Sequence, residues 1–219
     1  MLFQKLSPAA HFARLKGVWS VDRVEYLRES GDLAFMPPMR PAIKCQDMPF
    51  LIKSDGSWLY QGTKITRKSM VSLFASLLTR DETGVYRLET PAESGRIEVE
   101  DAPFLVVGMR WRGTGSQQQI SFLTNMDECI LLGPDHGLRM GEQPVRGVPV
   151  PYLHVRDGKG AFALEARINR GTYYELAALA EPGSVQGRPM LGVWSSGQFF
   201  PIAELTEDHL CSALSASLT

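Results

Sequence analysis

Two arginines stand at matching places in this chain. Arg67 follows Thr66 and Arg170 follows Asn169, and both preceding residues are good helix N-caps, so each arginine is expected in a first helical turn. A cation there opposes the helix dipole. Two roles are open: an anion site built from helix N–H groups and guanidinium, or a buttress in which each arginine folds back onto a carboxylate such as Asp55 or Asp157. Tyr152, His154 and Arg156 alternate along one predicted strand and so share a face. That face offers a ring for stacking and charges for oxygens, or it is an ordinary solvated strand. Thr124 and Asn125 end another strand, where they either bond a ligand's polar edge or make a local turn.

Carboxylate chemistry has one candidate pair. Glu98 and Glu100 alternate with Ile97 and Val99 and lie on one side with Arg96; an acid/base pair and a solvated strand face both fit. Asp127, Cys129, Asp135 and His136 lack metal-ligand spacing. The chain has no G-x-S-x-G elbow, no P-loop and no H-E-x-x-H. Gly113-Thr114-Gly115 lacks the third glycine and the following helix of a dinucleotide site. No catalytic residue, metal or cofactor is therefore expected.

The elements that must position these residues read as a duplication. Leu51–Leu78 and Leu153–Ala180 align on Asp55-Gly56 and Asp157-Gly158. With one inserted residue, Ile65 meets Ile168, Arg67 meets Arg170, Leu73 meets Leu176 and Ala75 meets Ala178. Each copy is strand, tight turn, strand and helix, and a seam between copies is a natural place for a ligand. Thr66 and Asn169 are the expected caps. Met70, Val71, Phe74, Leu77 and Leu78 form the apolar face of a helix over 67–79. Between the copies, segments around VYRLET, RIEVED, FLVVGMRWR and QQISFLTN read as an antiparallel meander. Pro182-Gly183 closes the second helix, and a last hairpin turns at Ser196-Gly197. Trp58, Trp111 and Trp194 read as core or interface residues.

Short helices are expected at 8–17 and 20–31, a proline linker at Pro37, Pro38 and Pro41, and a C-terminal helix capped by Thr206. The predicted division is 1–44 extension, 45–112 first α+β domain, 113–205 second α+β domain and 206–219 terminal helix. The fold class is α+β, two duplicated domains of antiparallel sheet plus helix.

Composition limits the partners. The 219 residues carry a formal net charge of −1, with 44% hydrophobic and 21% charged residues, which is ordinary for a globular protein. No global field draws in nucleic acid or an anionic membrane, and basic residues do not interleave with aromatics in one stripe. Three scattered cysteines, Cys45, Cys129 and Cys211, fit a reducing cytoplasm.

The blocks CQDMPFLIKSDGSWLYQGTKITR (45–67), TPAESGRIEVEDAPF (90–104), SFLTNMD (121–127), PYLHVRDG (151–158), YYEL (173–176) and GVWSSGQFFPI (192–202) together resemble the bacterial domain-of-unknown-function family 1285. Pro49 departs from that family's pattern, which has an acidic residue there, and Gly171 stands where it has proline. The resemblance implies two related α+β domains, the second similar to a pleckstrin-homology-like barrel. It implies no established enzymatic activity, and a ligand site between the domains, nucleotide-like and connected with signalling. Read together, these features predict a cytoplasmic binding module holding a small anionic ligand at the seam, with Arg67, Thr124, Asn125, Tyr152, His154, Arg156 and Arg170 as candidate ligand residues. Two alternatives stand beside it: a small hydrolase or transferase using Glu98 or Glu100 with His154, and a protein-interaction scaffold.

Overall fold

The computed structural model describes residues 43–90, 93–142 and 149–205. The helices expected at 8–17, 20–31 and after Thr206 lie outside them, as does the proline linker.

Among the described residues the chain forms fifteen strands and two α-helices. The first sheet contains β1 (Ile43–Ile52), β2 (Trp58–Tyr60), β3 (Thr63–Lys64), β4 (Leu78–Arg80), β5 (Tyr86–Glu89) and β6 (Glu93–Val99) in the order β3-β2-β1-β6-β5-β4. Helix α1 (Lys68–Ser76) connects β3 to β4. The second sheet contains β7 (Phe104–Arg112), β8 (Gln119–Thr124), β9 (Cys129–Leu131), β10 (Leu138–Glu142), β11 (Pro149–Asp157) and β12 (Ala163–Ile168). Its order, read from the β9 edge, is β9-β8-β7-β12-β11-β10. Adding six to every strand number of the first sheet reproduces it. Even the single parallel pair recurs, β1 with β6 and β7 with β12. Helix α2 (Arg170–Ala177) follows, then a three-stranded sheet of β13 (Glu181–Val185), β14 (Arg188–Ser195) and β15 (Gln198–Glu204).

The duplication is therefore real but runs in a different register from the one the sequence suggests. Sheet order makes β1 the counterpart of β7, whereas the sequence repeat matches the β1–β2 hairpin and α1 with the β11–β12 hairpin and α2. Hairpin plus helix does recur locally, at a different place in each sheet. The expected meander also breaks: β6 and β7 belong to different sheets, so the break falls between Val99 and Phe104 and not after Arg112. Alternation identifies a strand but not its neighbour.

Helix α1 buries Met70, Phe74 and Ala75, and the Phe74 ring meets Phe50 of β1 edge-on at 4.9 Å. It ends earlier than expected, and Leu78 begins β4. Pro182 and Gly183 lie inside β13 instead of closing α2. The last hairpin turns as predicted, with Ser196 at φ 54° and Gly197 at φ 77°, the conformation two-residue hairpins need. This hairpin is pinned to the second sheet by buried Ser195, whose hydroxyl accepts from Ile120 N at 3.0 Å and donates to Leu132 O at 2.7 Å. One continuous cluster of buried apolar side chains runs from Met48 through Phe122 to Ile202, with Trp58 fully inside it. Trp111, read as a core or interface residue, is 51% exposed and so lies outside this core.

Candidate functional site

The two arginines that suggested an anion site are not equivalent. Arg67 is itself the N-cap of α1, extended at ψ 105° and without a side-chain cap bond, because a guanidinium has only donors to offer. Thr66 is therefore not the cap. Asn169 is the N-cap of α2, and its Oδ1 accepts from Thr172 N at 2.8 Å. Arg67 thus corresponds to Asn169, while Arg170 sits one position inside its helix. Arg67 is exposed, and Arg170 donates twice to the Tyr174 hydroxyl, at 2.9 and 2.7 Å. Neither meets Asp55 or Asp157. The Asp55 carboxylate instead accepts from Ser57 N at 2.8 Å, a bond that lowers its pKa.

The two aspartate–glycine pairs also differ. Gly56 has φ +80° in the loop between β1 and β2. Gly158 lies at the start of its loop, where a Cβ would stand 2.4 Å from Phe162 O and 2.8 Å from Arg80 O. Glycine is required there for close approach, and the positive φ of that loop falls on Gly160.

Arg156 leaves the face it was expected to share. Tyr152 pairs with Arg167 and His154 with Glu165, but the register shifts before Arg156, which pairs with buried Leu164. This β-bulge turns Arg156 toward the first unit. Its guanidinium donates to Ala75 O and Leu78 O at the C-terminal end of α1 and lies 5.3 Å over the Phe104 ring. Burial pushes its pKa down. At the other end of α1, Lys68 pairs with Asp127 of the β8–β9 turn. Arg167 donates to Ser54 O and pairs with Asp101 at 3.3 Å. Arg80 donates to Ala163 O at 3.1 Å, with its guanidinium over the rings of Tyr86 and Phe162. The seam is thus closed by arginines bonded to backbone carbonyls.

Thr124 and Asn125 shape a local turn, and Asn125 also reaches the first unit. Buried Thr124 accepts through Oγ1 from Met126 N and Glu128 N, which shapes the β8–β9 turn. Asn125 exchanges a backbone-like pair of bonds with Leu105, donating from its N and accepting on Oδ1. Its side-chain nitrogen packs against Gly56 of the first unit. Tyr152 is buried, donates to Asp101 Oδ1 at 2.7 Å and lies under Arg139. Burial, reinforced by that carboxylate, holds its phenol well above the usual range.

Of the seven candidates, His154 lines an open recess. This recess of about 520 Å³ is bounded by the Pro134–Gly137 loop, Leu138, Arg139, His154, Asp157 and Glu165. His154 Nε2 donates to Asp157 Oδ1 at 3.0 Å, while its Nδ1 is buried with no partner among the described residues. The His136 ring lies 5.8 Å away and donates from Nδ1 to His154 O. Arg139 grips Glu165 through two bonds of 2.8 and 2.7 Å, which raise its pKa. Three carboxylates thus face one permanent cation, and that cation is already engaged. No group of three or more potential metal ligands occurs among the described residues. Glu98 and Glu100 line a separate recess of about 400 Å³ with Arg96, and Glu100 accepts from Ser54 N. The expected partnership of these carboxylates with His154 is not formed.

Sequence inspection missed Arg139, Glu165, Arg167 and Asp101. Glu165 and Arg167 alternate in ALEARI much as Tyr152 and His154 do in their strand, so that signal was available; their partners lie too far along the chain to be read from spacing.

An α+β protein of two six-stranded units, with a polar recess on the second, is what this geometry defines. The chain belongs to the family that its sequence resembles: residues 39–102 match the N-terminal domain of unknown function DUF1285, and residues 103–202 match the C-terminal domain of the DUF1285 proteins of unknown function. A crystal structure of a DUF1285 family protein from Silicibacter pomeroyi DSS-3 is similar at 38% identity and a TM-score of 0.67, covering 77% of this chain and 88% of that one. Another, from Shewanella baltica OS155, has 27% identity and a TM-score of 0.44, covering 58% of this chain and 89% of that one. No curated protein matches the chain. Among the described residues no helix is long and apolar enough to cross a membrane.

Proposed function

We propose that the protein is a non-catalytic binding module whose recognition surface is the recess around His154. The observation that carries this reading is the convergence of ionisable side chains from β10, β11, β12 and the Pro134–Gly137 loop on one open hollow. They are held in bonded pairs, which favours recognition by presenting fixed polar groups at little ordering cost. Catalysis by His154 fits poorly, because its accessible nitrogen donates to Asp157 and its acceptor nitrogen is buried. The anionic, nucleotide-like ligand suggested by the sequence also fits this hollow poorly, since its one permanent cation is neutralised by Glu165. The exposed Asp157 carboxylate and neighbouring Asp135 suit a small polar ligand that donates hydrogen bonds, such as an amine. A cytoplasmic setting, suggested by the scattered thiols, accompanies this reading.

Chemical-shift mapping with 1,4-diaminobutane and with inorganic phosphate tests it. The diamine is expected to move the amides of 134–139, 154–157 and 165, and Asp157→Asn to abolish the effect. Shifts caused by phosphate at the N-termini of α1 and α2 instead would return the site to Arg67 and Arg170.

A further inference from the structure

The outer face of the second sheet is only half covered. Over β10, β11 and β12, Arg139, Tyr152 and Arg167 form one cross-strand row, and Tyr152 and Arg167 hold Asp101. There Arg167 reaches the Ser54 carbonyl of the first unit. Over β7, β8 and β9, beyond Leu105 and Asn125, which Gly56 of the first unit meets, the same face is open to solvent. The register puts Gly108, Leu123 and Cys129 in one row and Arg110, Ser121 and Leu131 in the next. Leu123 and Leu131 are each 43% exposed, as is Val107 beside them. Ile120, Phe122 and Ile130, on the opposite face of β8 and β9, are buried, so the exposed leucines are not a frayed margin of the core. Gly108 and Ser121 leave a low floor between them, and a Cβ at Gly108 would meet nothing within 4 Å. The ionic groups in these rows are cationic: Arg110, and Arg112 in the row beyond, which bonds Gln119 at 2.8 Å.

We infer that this bare half is a docking surface for an amphipathic helix of a partner protein, one whose apolar stripe is flanked by carboxylates. Three adjacent strands at about 4.8 Å spacing span about 10 Å, the width of one helix. The leucines supply the apolar contact, the arginines select acidic flanks, and the surface continues directly from the interface with the first unit. The site is independent of the recess around His154.

A synthetic helical peptide with a leucine stripe flanked by glutamates is the probe, and the same peptide with lysines for glutamates is the control. Amide shift mapping on the full chain is expected to show the acidic peptide acting on residues 119–124 and 129–131, and the lysine peptide leaving them unmoved. Leu123→Asp, at an exposed position, is expected to weaken the complex at least about tenfold with an unchanged melting temperature. Arg110→Glu keeps the apolar surface and is expected to reverse the preference between the peptides. Equal response to both peptides, shifts confined to other surfaces, or no response would overturn the proposal. So would sedimentation showing a dimer that Leu123→Asp converts to monomer, since the face would then belong to a second copy of the chain.

Discussion

Arg156 illustrates how one residue's neighbours decide its role. On sequence spacing it belongs with Tyr152 and His154; a single bulge turns it to the carbonyl end of α1, where a cation also complements the helix dipole. Replacing it with methionine keeps most of the stem but removes the charged donor shared by the Ala75 and Leu78 carbonyls. Arg156→Met is expected to cost about 2–3 kcal/mol in urea unfolding, and a loss within error would mean that the clamp contributes nothing. Asp81 gives a prediction in pH. Its Oδ1 accepts from the Thr83 hydroxyl and from Thr83 N and Val85 N, and these bonds lower its pKa below 3.8. A depressed folded pKa means that stability is present above the unfolded value and lost as pH falls through the folded one. The wild type is therefore expected to lose stability below pH 3.8 more steeply than Asp81→Asn, measured by thermal melts across that range. Identical acid limbs would contradict it.

Local elements were legible in the sequence where one residue type does one local job. Asn169 was readable as a cap because a short acceptor reaches the first-turn N–H, and Ser196-Gly197 as a hairpin because glycine accepts the positive φ that such a turn needs. The apolar face of α1 was readable from its period, and Phe74, 2% exposed, is its anchor. Phe74→Ala is expected to cost about 3–5 kcal/mol, measured by denaturant unfolding; a loss below about 1 kcal/mol would show that the Phe50 contact is not part of the core. Less legible was anything that depends on a partner strand. Alternation marked β6 and β7 but not their separation into two sheets, and Gly158 read as a turn residue when the carbonyls of Phe162 and, from the other unit, Arg80 exclude a side chain there.

At the scale of the whole molecule, two sheets of the same strand order are joined through a seam filled by Arg80, Arg156 and Arg167. The sequence pointed to a duplication and to arginines at its seam. Of the arginines it named, Arg156 reaches that seam, whereas Arg67 is exposed and Arg170 bonds Tyr174; it could not show that the seam arginines are spent on carbonyls. Of the candidate ligand residues, Arg156 ties β11 to the end of α1, Tyr152 holds Asp101, Asn125 meets Gly56, Thr124 shapes its own turn, and His154 faces an open hollow. Recognition is therefore proposed beside the seam, in the second unit. Melting temperature with and without 1,4-diaminobutane, in the wild type, Asp157→Asn and Arg67→Met/Arg170→Met, tests this most directly, because a ligand of the folded state must raise its stability. A rise in the wild type and in the double arginine variant, absent in Asp157→Asn, is the predicted result. Stabilisation by inorganic phosphate that disappears in the double arginine variant, with none from the diamine, would contradict it.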